Sequence, residues 1–300
     1  MRPQRLTRPF LLVPALALAL AGCATSPAVA PAAPAPAAQA AHDNLNAVLW
    51  VQRSHEYRAA ALSLYHGAIA GLDAALADPQ WDALAPAERD NPGAWHELPP
   101  AVILDVDETV LDNSIYQARL VRDGMEYDDD TWADWVAEQQ ATPVPGVVDF
   151  ARAANERGIT LYYVTNREQR LRGATLANLR AAGLPVAHED VFLGLGMEVE
   201  GCEQPGSRSG KLCRRQLVGR SHRVLMQFGD QITDFAHLPA NTAQARDGVL
   251  AEHGDWFGQR WWMLPNPTYG GWEPALFNGD WSLPPEQRRA TKRASLNTGN

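Results

Sequence analysis

The stretch "AVILDVDETVLDNS", residues 101–114, decides how the whole chain is read. Ala101 to Leu104 form an unbroken apolar run, and Asp105 and Asp107 follow at once with a single valine between them. A run without polar alternation is the mark of a strand buried on both faces, the kind found in parallel sheets covered by helices. Carboxylates are costly in such a core, so the strand must reach its carboxyl end where they begin. In open parallel sheets ligands bind outside that end of the strands. The two acids therefore stand where chemistry is expected.

Working outward, strand-like segments alternate with helical ones. "GITLYYVT" (158–165) precedes a helical pattern from Glu168 to Ala182, "VFLGL" (191–195) follows, and a basic segment at 207–220 leads to "RVLMQFGD" (223–230). This order predicts an α/β fold, a doubly wound, Rossmann-like parallel sheet. Upstream, Asp43 to Asp78 contains no proline, and Leu45, Leu49, Leu62, Tyr65, Ile69, Leu72 and Leu76 recur mostly at helical spacing, with Asp43 as N-cap. That pattern fits one long helix or two. Residues 112–145 carry two short helical patterns and exceed an ordinary βα loop, so they read as a cap inserted above the sheet's carboxyl edge.

The first 22 residues read as a signal peptide: Arg2, Arg5 and Arg8 precede an apolar run from Phe10 to Ala21, too short to span a bilayer comfortably and interrupted by Pro14. Leu20-Ala21-Gly22-Cys23 resembles the lipobox of bacterial lipoproteins, which implies acylation of Cys23, and Ala24 in place of Asp implies sorting to the outer membrane. The alternative is an ordinary signal peptide cleaved nearby. Residues 23–42 are a Pro/Ala tract without an apolar face, a tether, and 43–300 form the folded domain, with 43–98 as its helical N-terminal region. Cleavage before Cys23 removes three arginines, so Lys+Arg falls to 26 − 3 = 23 against 35 acids, a net charge of −12. Such a body repels polymeric nucleic acid. Cys202 and Cys213, eleven apart in an exported chain, are expected to form a disulfide around Lys211, the alternative being two free buried thiols.

Three strands end in suggestive chemistry: Asp105 and Asp107, then Thr165-Asn166-Arg167, then Gly229-Asp230 with Asp234. Taken singly each has an ordinary role, since acids after a strand make solvated turns, Asp234 could cap a helix and Arg167 could pair with any surface acid. Jointly, D-x-D-x-T, a strand-terminal Thr, an isolated Lys and G-D-x-x-x-D in that order resemble the four motifs of the haloacid dehalogenase (HAD) superfamily. "ILDVDETVLDNS", "GDQITDF" and "LPNPTYGGWE" resemble, more narrowly, its lipoprotein acid phosphatases of class C, several of which act as 5'-nucleotidases.

The resemblance implies a HAD-type sheet whose small helical cap is formed by the N-terminal helical region and the insertion after the first motif. It implies Asp105 as a nucleophile that forms an aspartyl-phosphate, and Asp107 as general acid and then base. Mg²⁺ would be held by the Asp105 carboxylate, the Asp107 backbone carbonyl and Asp230, with Asp234 close by. Thr165 and Asn166 would bind phosphoryl oxygens and Lys211 would neutralise the phosphoryl charge, although Arg214 and Arg215 compete for that role. Trp132 and Tyr269 would clamp the base of a nucleotide. The chemistry is coherent beside the name. An anionic ester repels an attacking carboxylate unless a cation intervenes, and one carboxyl must stay ionised while its neighbour holds a proton.

The expected activity is hydrolysis of small phosphomonoesters, 5'-nucleotides foremost, by a lipid-anchored enzyme at the outer membrane. A broad acid phosphatase or phosphotransferase without nucleotide preference is the near alternative, and a non-catalytic surface-binding lipoprotein is the one from another class. A homodimer stays open. Trp132 and Trp135, three apart on one helix, would equally serve to pin the cap to the core.

Overall fold

A computed structural model describes residues 42–91 and 93–299. The signal peptide, Cys23 and nearly all of the tether lie outside the described residues.

Strand β1 (Pro100–Leu104) carries the opening stretch, and Ala101 to Leu104 are all buried. After it, β2 (Leu111–Asp112) pairs antiparallel with β3 (Thr142–Pro143), and this narrow ribbon brackets the cap, residues 113–141. The main sheet continues with β4 (Thr160–Glu168), β5 (Phe192–Leu195), β6 (Arg223–Gly229) and β7 (Trp261–Met263). Its order is β5-β4-β1-β6-β7 with every neighbouring pair parallel. From β1 the chain first moves outward through β4 to β5, then crosses back to β6 and β7 on the other side. The reversal point is therefore β1 itself, where a ligand crevice opens in doubly wound sheets.

The N-terminal helical region is two helices, α1 (Leu45–Arg53) and α2 (His55–Ala77), divided at Ser54, whose hydroxyl accepts the Tyr57 N–H. Asp43 is not the N-cap: that position is Asn44, and the Asp43 carboxylate instead accepts from Arg289 and Lys292 near the other end of the chain. Two long basic side chains outcompete a local cap when the fold brings them within reach. Along α2, Tyr57, Ala61, Tyr65, Ala68, Leu72 and Ala75 form one buried face. The length of α2 and its mean hydropathy of 1.3 would suit a membrane span, yet that face closes on Phe228 of the sheet and on Phe150, as in a core helix.

The cap holds α3 (Ser114–Asp123), which ends in the left-handed Gly124, and α4 (Asp129–Glu138), started by Asp128, whose carboxylate accepts the Asp130 and Thr131 N–H groups. Helix α5 (Val147–Glu156) and α6 (Arg172–Ala181) join α2 over one face of the sheet, while α7 (Leu212–Ser221) and α8 (Ala243–His253) pack on the other. Two apolar layers result, one around Tyr65, Phe150 and Phe228, the other around Phe235 and Trp261. Covering both faces is what the unbroken apolar strands require. The helix expected from Glu168 begins only at Arg172, because β4 runs on through Glu168 and a 3₁₀ turn intervenes. The edge strand β7 was not expected; three residues are too few to show a strand period.

Candidate active site

Three strand ends surround the site. β1 delivers Asp105 and Asp107, its neighbour β4 delivers Thr165, Asn166 and Arg167, and its other neighbour β6 delivers Asp230 and, one turn on, Asp234. The Asp105 N–H donates to the Phe228 carbonyl of β6 at 2.9 Å, so its carboxylate starts from ladder-held backbone. The loop beyond is braced from beneath, where the Tyr65 hydroxyl donates to the Thr109 carbonyl at 2.7 Å. A buried bond of this kind contributes about 1 kcal/mol.

Lys211, the residue before α7, is buried and donates from Nζ to Asp105 Oδ1 and to Asp234 Oδ1, the latter at 2.7 Å. Arg214 and Arg215 are engaged elsewhere. Arg215 makes a two-pronged ion pair with buried Glu88, both contacts 2.7 Å, and Arg214 donates to the Thr165 carbonyl and to Asn166 Oδ1. Of the three competing cations, Lys211 is the one that touches the Asp105 carboxylate. Cys202 and Cys213 are joined by a disulfide that closes the loop around it.

Asp105, Asp230 and Asp234 each bring a carboxylate oxygen within 4.8 Å of the other two. Gly229 makes this approach feasible, because a Cβ there would lie 2.3 Å from the Asp234 Cβ. Asp234 also serves as a cap, its Oδ2 accepting the Gln231 N–H at 2.8 Å, while Oδ1 faces Lys211. Asp230 Oδ2 accepts from Asn266 at 2.7 Å and from Gln231 at 2.8 Å. Burial pushes Asp105 up to about 7; the Lys211 charge opposes the shift, and the Asp234 and Asp107 carboxylates reinforce it. Burial likewise raises Asp230 far above the carboxylate range, with Asp234 and Asp105 adding to it. Three crowded carboxylates against a single lysine favour a further cation, and an all-oxygen set of this kind suits a hard divalent ion.

Asp107 lives differently. Its Oδ1 accepts from Arg167 Nε at 2.9 Å, Arg167 Nη2 at 2.8 Å and Asn113 Nδ2 at 3.0 Å. Arg167 is wholly buried, not paired with a surface acid as the sequence alone allows. Asn113 Oδ1 in turn accepts from Trp135 Nε1 at 2.8 Å and from Arg167 at 3.2 Å. Trp135 thus pins the cap to the β1 loop. Trp132, one turn earlier on α4, is half-buried, packs against Tyr116 and Tyr127, and lies over the Arg167 guanidinium at 5.6 Å. Tyr269 is half-buried, and its hydroxyl donates to Glu108. Glu108, at φ 56°, also accepts the Asn113 N–H at 2.8 Å. Burial raises it to about 8, with Asp107 adding to the shift.

Sequence reading missed Glu108, Asn113, Gln231 and Asn266 as members of this network, and named Arg214 only as a rival of Lys211. Each missed residue lies inside a stretch that carries the resemblance, Glu108 and Asn113 in the opening one, Gln231 in "GDQITDF" and Asn266 in "LPNPTYGGWE", but their roles are recognisable only by whom they meet.

Residues 31–272 match the family model described as HAD superfamily, subfamily IIIB (acid phosphatase). The fold is similar to that of the class C acid phosphatase from Bacillus anthracis, solved with tungstate bound, at 31% identity and a TM-score of 0.72 over 86% of this chain and 98% of that one. A second structure of a Bacillus anthracis class C acid phosphatase gives 30% identity and a TM-score of 0.71 over the same shares. Acid phosphatase 1 of Solanum lycopersicum is 27% identical over 168 residues, 56% of this chain and 57% of the tomato protein, so the chain spans little more than half of that relative. With motif order, sheet topology and strand-end geometry in agreement, the chain belongs to the acid phosphatases of HAD subfamily IIIB.

Proposed function

We propose that the protein is a Mg²⁺-dependent phosphomonoesterase that hydrolyses 5'-nucleotides through an aspartyl-phosphate on Asp105 and is anchored to the outer membrane through acylated Cys23. The observation that carries this reading is the Asp105 carboxylate at the switch-point strand end, bonded to buried Lys211 and clustered with Asp230 and Asp234. Those three carboxylates and the Asp107 backbone carbonyl would hold Mg²⁺, which supplies the charge neutralisation that lets an anionic nucleophile meet an anionic ester.

The chain's own residues do the rest. An Asp105 oxygen attacks phosphorus while Thr165 and Asn166 bind the phosphoryl oxygens and Lys211 offsets their charge. Asp107 gives its proton to the departing oxygen, then takes one from the water that cleaves the acyl phosphate and frees Asp105. Trp132 and Tyr269 flank the leaving nucleoside. One observation favours a broader phosphatase: Arg167 already covers one side of the Trp132 ring, which leaves a base only the other.

The test is a phosphate-release profile over 5'- and 3'-nucleotides, nicotinamide mononucleotide and sugar phosphates, with and without EDTA. Preference for 5'-nucleotides, loss of activity in EDTA, recovery with Mg²⁺ and competitive inhibition by tungstate are expected. Equal rates across all esters would leave the broad phosphatase, and undiminished activity in EDTA would remove the metal. Palmitate labelling of wild type but not of Cys23→Ser is the expected sign of the anchor.

A further inference from the structure

The Asp107 carboxylate is held asymmetrically. All three donors that reach it, Arg167 Nε, Arg167 Nη2 and Asn113 Nδ2, converge on Oδ1, and no side chain or backbone donor among the described residues reaches Oδ2. Arg167 is fixed in turn, its side chain 0% exposed, with Nη2 also on Asn113 Oδ1 and Nη1 on Thr175 Oγ1 at 3.4 Å. The Asp107 side chain keeps 15% of its surface, so it remains reachable from the site. An oxygen that accepts three hydrogen bonds has no lone pair to spare for a proton, so a proton carried by this group sits on the other oxygen.

We propose that Arg167 is a positioning residue that saturates Asp107 Oδ1, fixes the plane of the carboxyl and reserves Oδ2 as the atom that exchanges protons with the leaving group and with water. This rests on the reading of Asp107 as general acid and base given above. In the first step the bond from phosphorus to the leaving oxygen breaks as an Asp105 oxygen bonds to phosphorus, and the Oδ2 proton moves to the leaving oxygen. In the second, Oδ2 takes a proton from water, the hydroxide oxygen bonds to phosphorus, and the bond from phosphorus to Asp105 breaks. Protons and electron pairs balance over the cycle.

The arrangement also ties proton delivery to the cap. Asn113, which shares the Oδ1 site, is held by Trp135, and Arg167 lies under Trp132, both on α4. Substitutions in that helix therefore reach the proton donor through two contacts.

The test uses leaving-group chemistry, because a merely structural residue does not discriminate between leaving groups. Single-turnover phosphorylation by the Mg²⁺-loaded enzyme is measured with phenyl phosphate, whose phenolate needs a proton to depart well, and with 2,4-dinitrophenyl phosphate, whose phenolate does not. Wild type, Asp107→Asn, Arg167→Lys, Arg167→Gln and Asn113→Ala are compared, with thermal unfolding as a check on the fold. Asp107→Asn should lose about 10²–10⁴-fold on phenyl phosphate and far less on the dinitrophenyl ester. Arg167→Lys and Arg167→Gln should show the same selectivity at about 10–10²-fold, since the acid remains but is poorly aimed. Should either Arg167 variant fail to fold, Asn113→Ala, which removes one of the three donors, must still show the selectivity at reduced size. Equal losses on both esters, or none, for the Arg167 and Asn113 variants while Asp107→Asn discriminates would overturn the positioning role. Absence of discrimination in Asp107→Asn would instead remove the general acid on which the proposal stands.

Discussion

The floor of the site and its cap solve opposite problems with different materials. On the floor, Asp105, Lys211 and Asp234 have side chains no more than 8% exposed, and the lysine stands between the two carboxylates. In the cap, the residues that face outward are half-open aromatics, Trp132 beside Tyr127 at 57% exposure, and the ion pair Arg119–Glu138 stands in solvent. Buried, paired charge gives one geometry, which suits a phosphoryl group that is the same in every substrate. A rim of rings accepts many shapes, which suits a leaving group that varies. Under the proposed function, chemistry falls to the sheet edge and selectivity to the rim above it.

The hardest blow to that division is expected from the floor. Asp105→Asn keeps the shape of the side chain but cannot attack phosphorus, so turnover should vanish, beryllofluoride should no longer be trapped on the protein, and the fold should persist. Near-normal activity in a verified, undeamidated variant would end the covalent mechanism and with it the special status of the floor.

A smaller, selective effect belongs to the rim, where Trp132 of the cap and Tyr269 beyond β7 stand. Trp132→Ala and Tyr269→Ala should each raise KM for nucleoside monophosphates by roughly 5–150-fold, the equivalent of about 1–3 kcal/mol of stacking. Turnover of glycerol 2-phosphate, which has no ring to stack, should change little. If both substrates suffer in proportion, these rings support the floor and do not choose the leaving group. Tyr269 is the sharper probe, because its hydroxyl is tied to Glu108, and Tyr269→Phe separates the ring from that tie.

The least effect should come from the cap surface. Arg119 and Glu138 form a two-pronged pair with side chains 37% and 32% exposed. Pairs in such settings contribute about 0.2–1 kcal/mol, so Arg119→Ala should shift Tm by a few degrees at most and leave kcat unchanged. Because the Arg119 guanidinium also lies 5.1 Å from the centre of the Trp135 ring, a large loss of activity would mean that the cap surface reaches the floor through Trp135 and Asn113.

Much of the molecule was legible in the chain itself, for identifiable reasons. Apolar runs without alternation forced a parallel sheet under two helical layers, and the first acids after such a run had to mark its carboxyl end. Lys211 was singled out only by the resemblance, whereas Asp105, Thr165 and Asp230 each end or follow a strand, and parallel strands joined by helices share one carboxyl edge. These are local properties, carried by periodicity and by the cost of burying charge, and they survive without knowledge of any contact.

Partner choice is another matter. Nothing in the order of residues says that Arg215 goes to Glu88, that Arg214 goes to Thr165 and Asn166, and that Lys211 is left to meet Asp105; three basic residues within five positions look alike until α7 gives each its own direction. The same holds for Arg167, an ordinary surface arginine in sequence, which 60 residues of chain reversal bring onto one oxygen of Asp107. Asp43 failed as a helix cap for this reason too, since its partners lie some 246 residues away. Sequence determined which groups would gather at the sheet edge. Only the tertiary structure decided which charge holds which, because a buried ion takes whatever partner the packing brings within hydrogen-bond reach, whatever its distance along the chain.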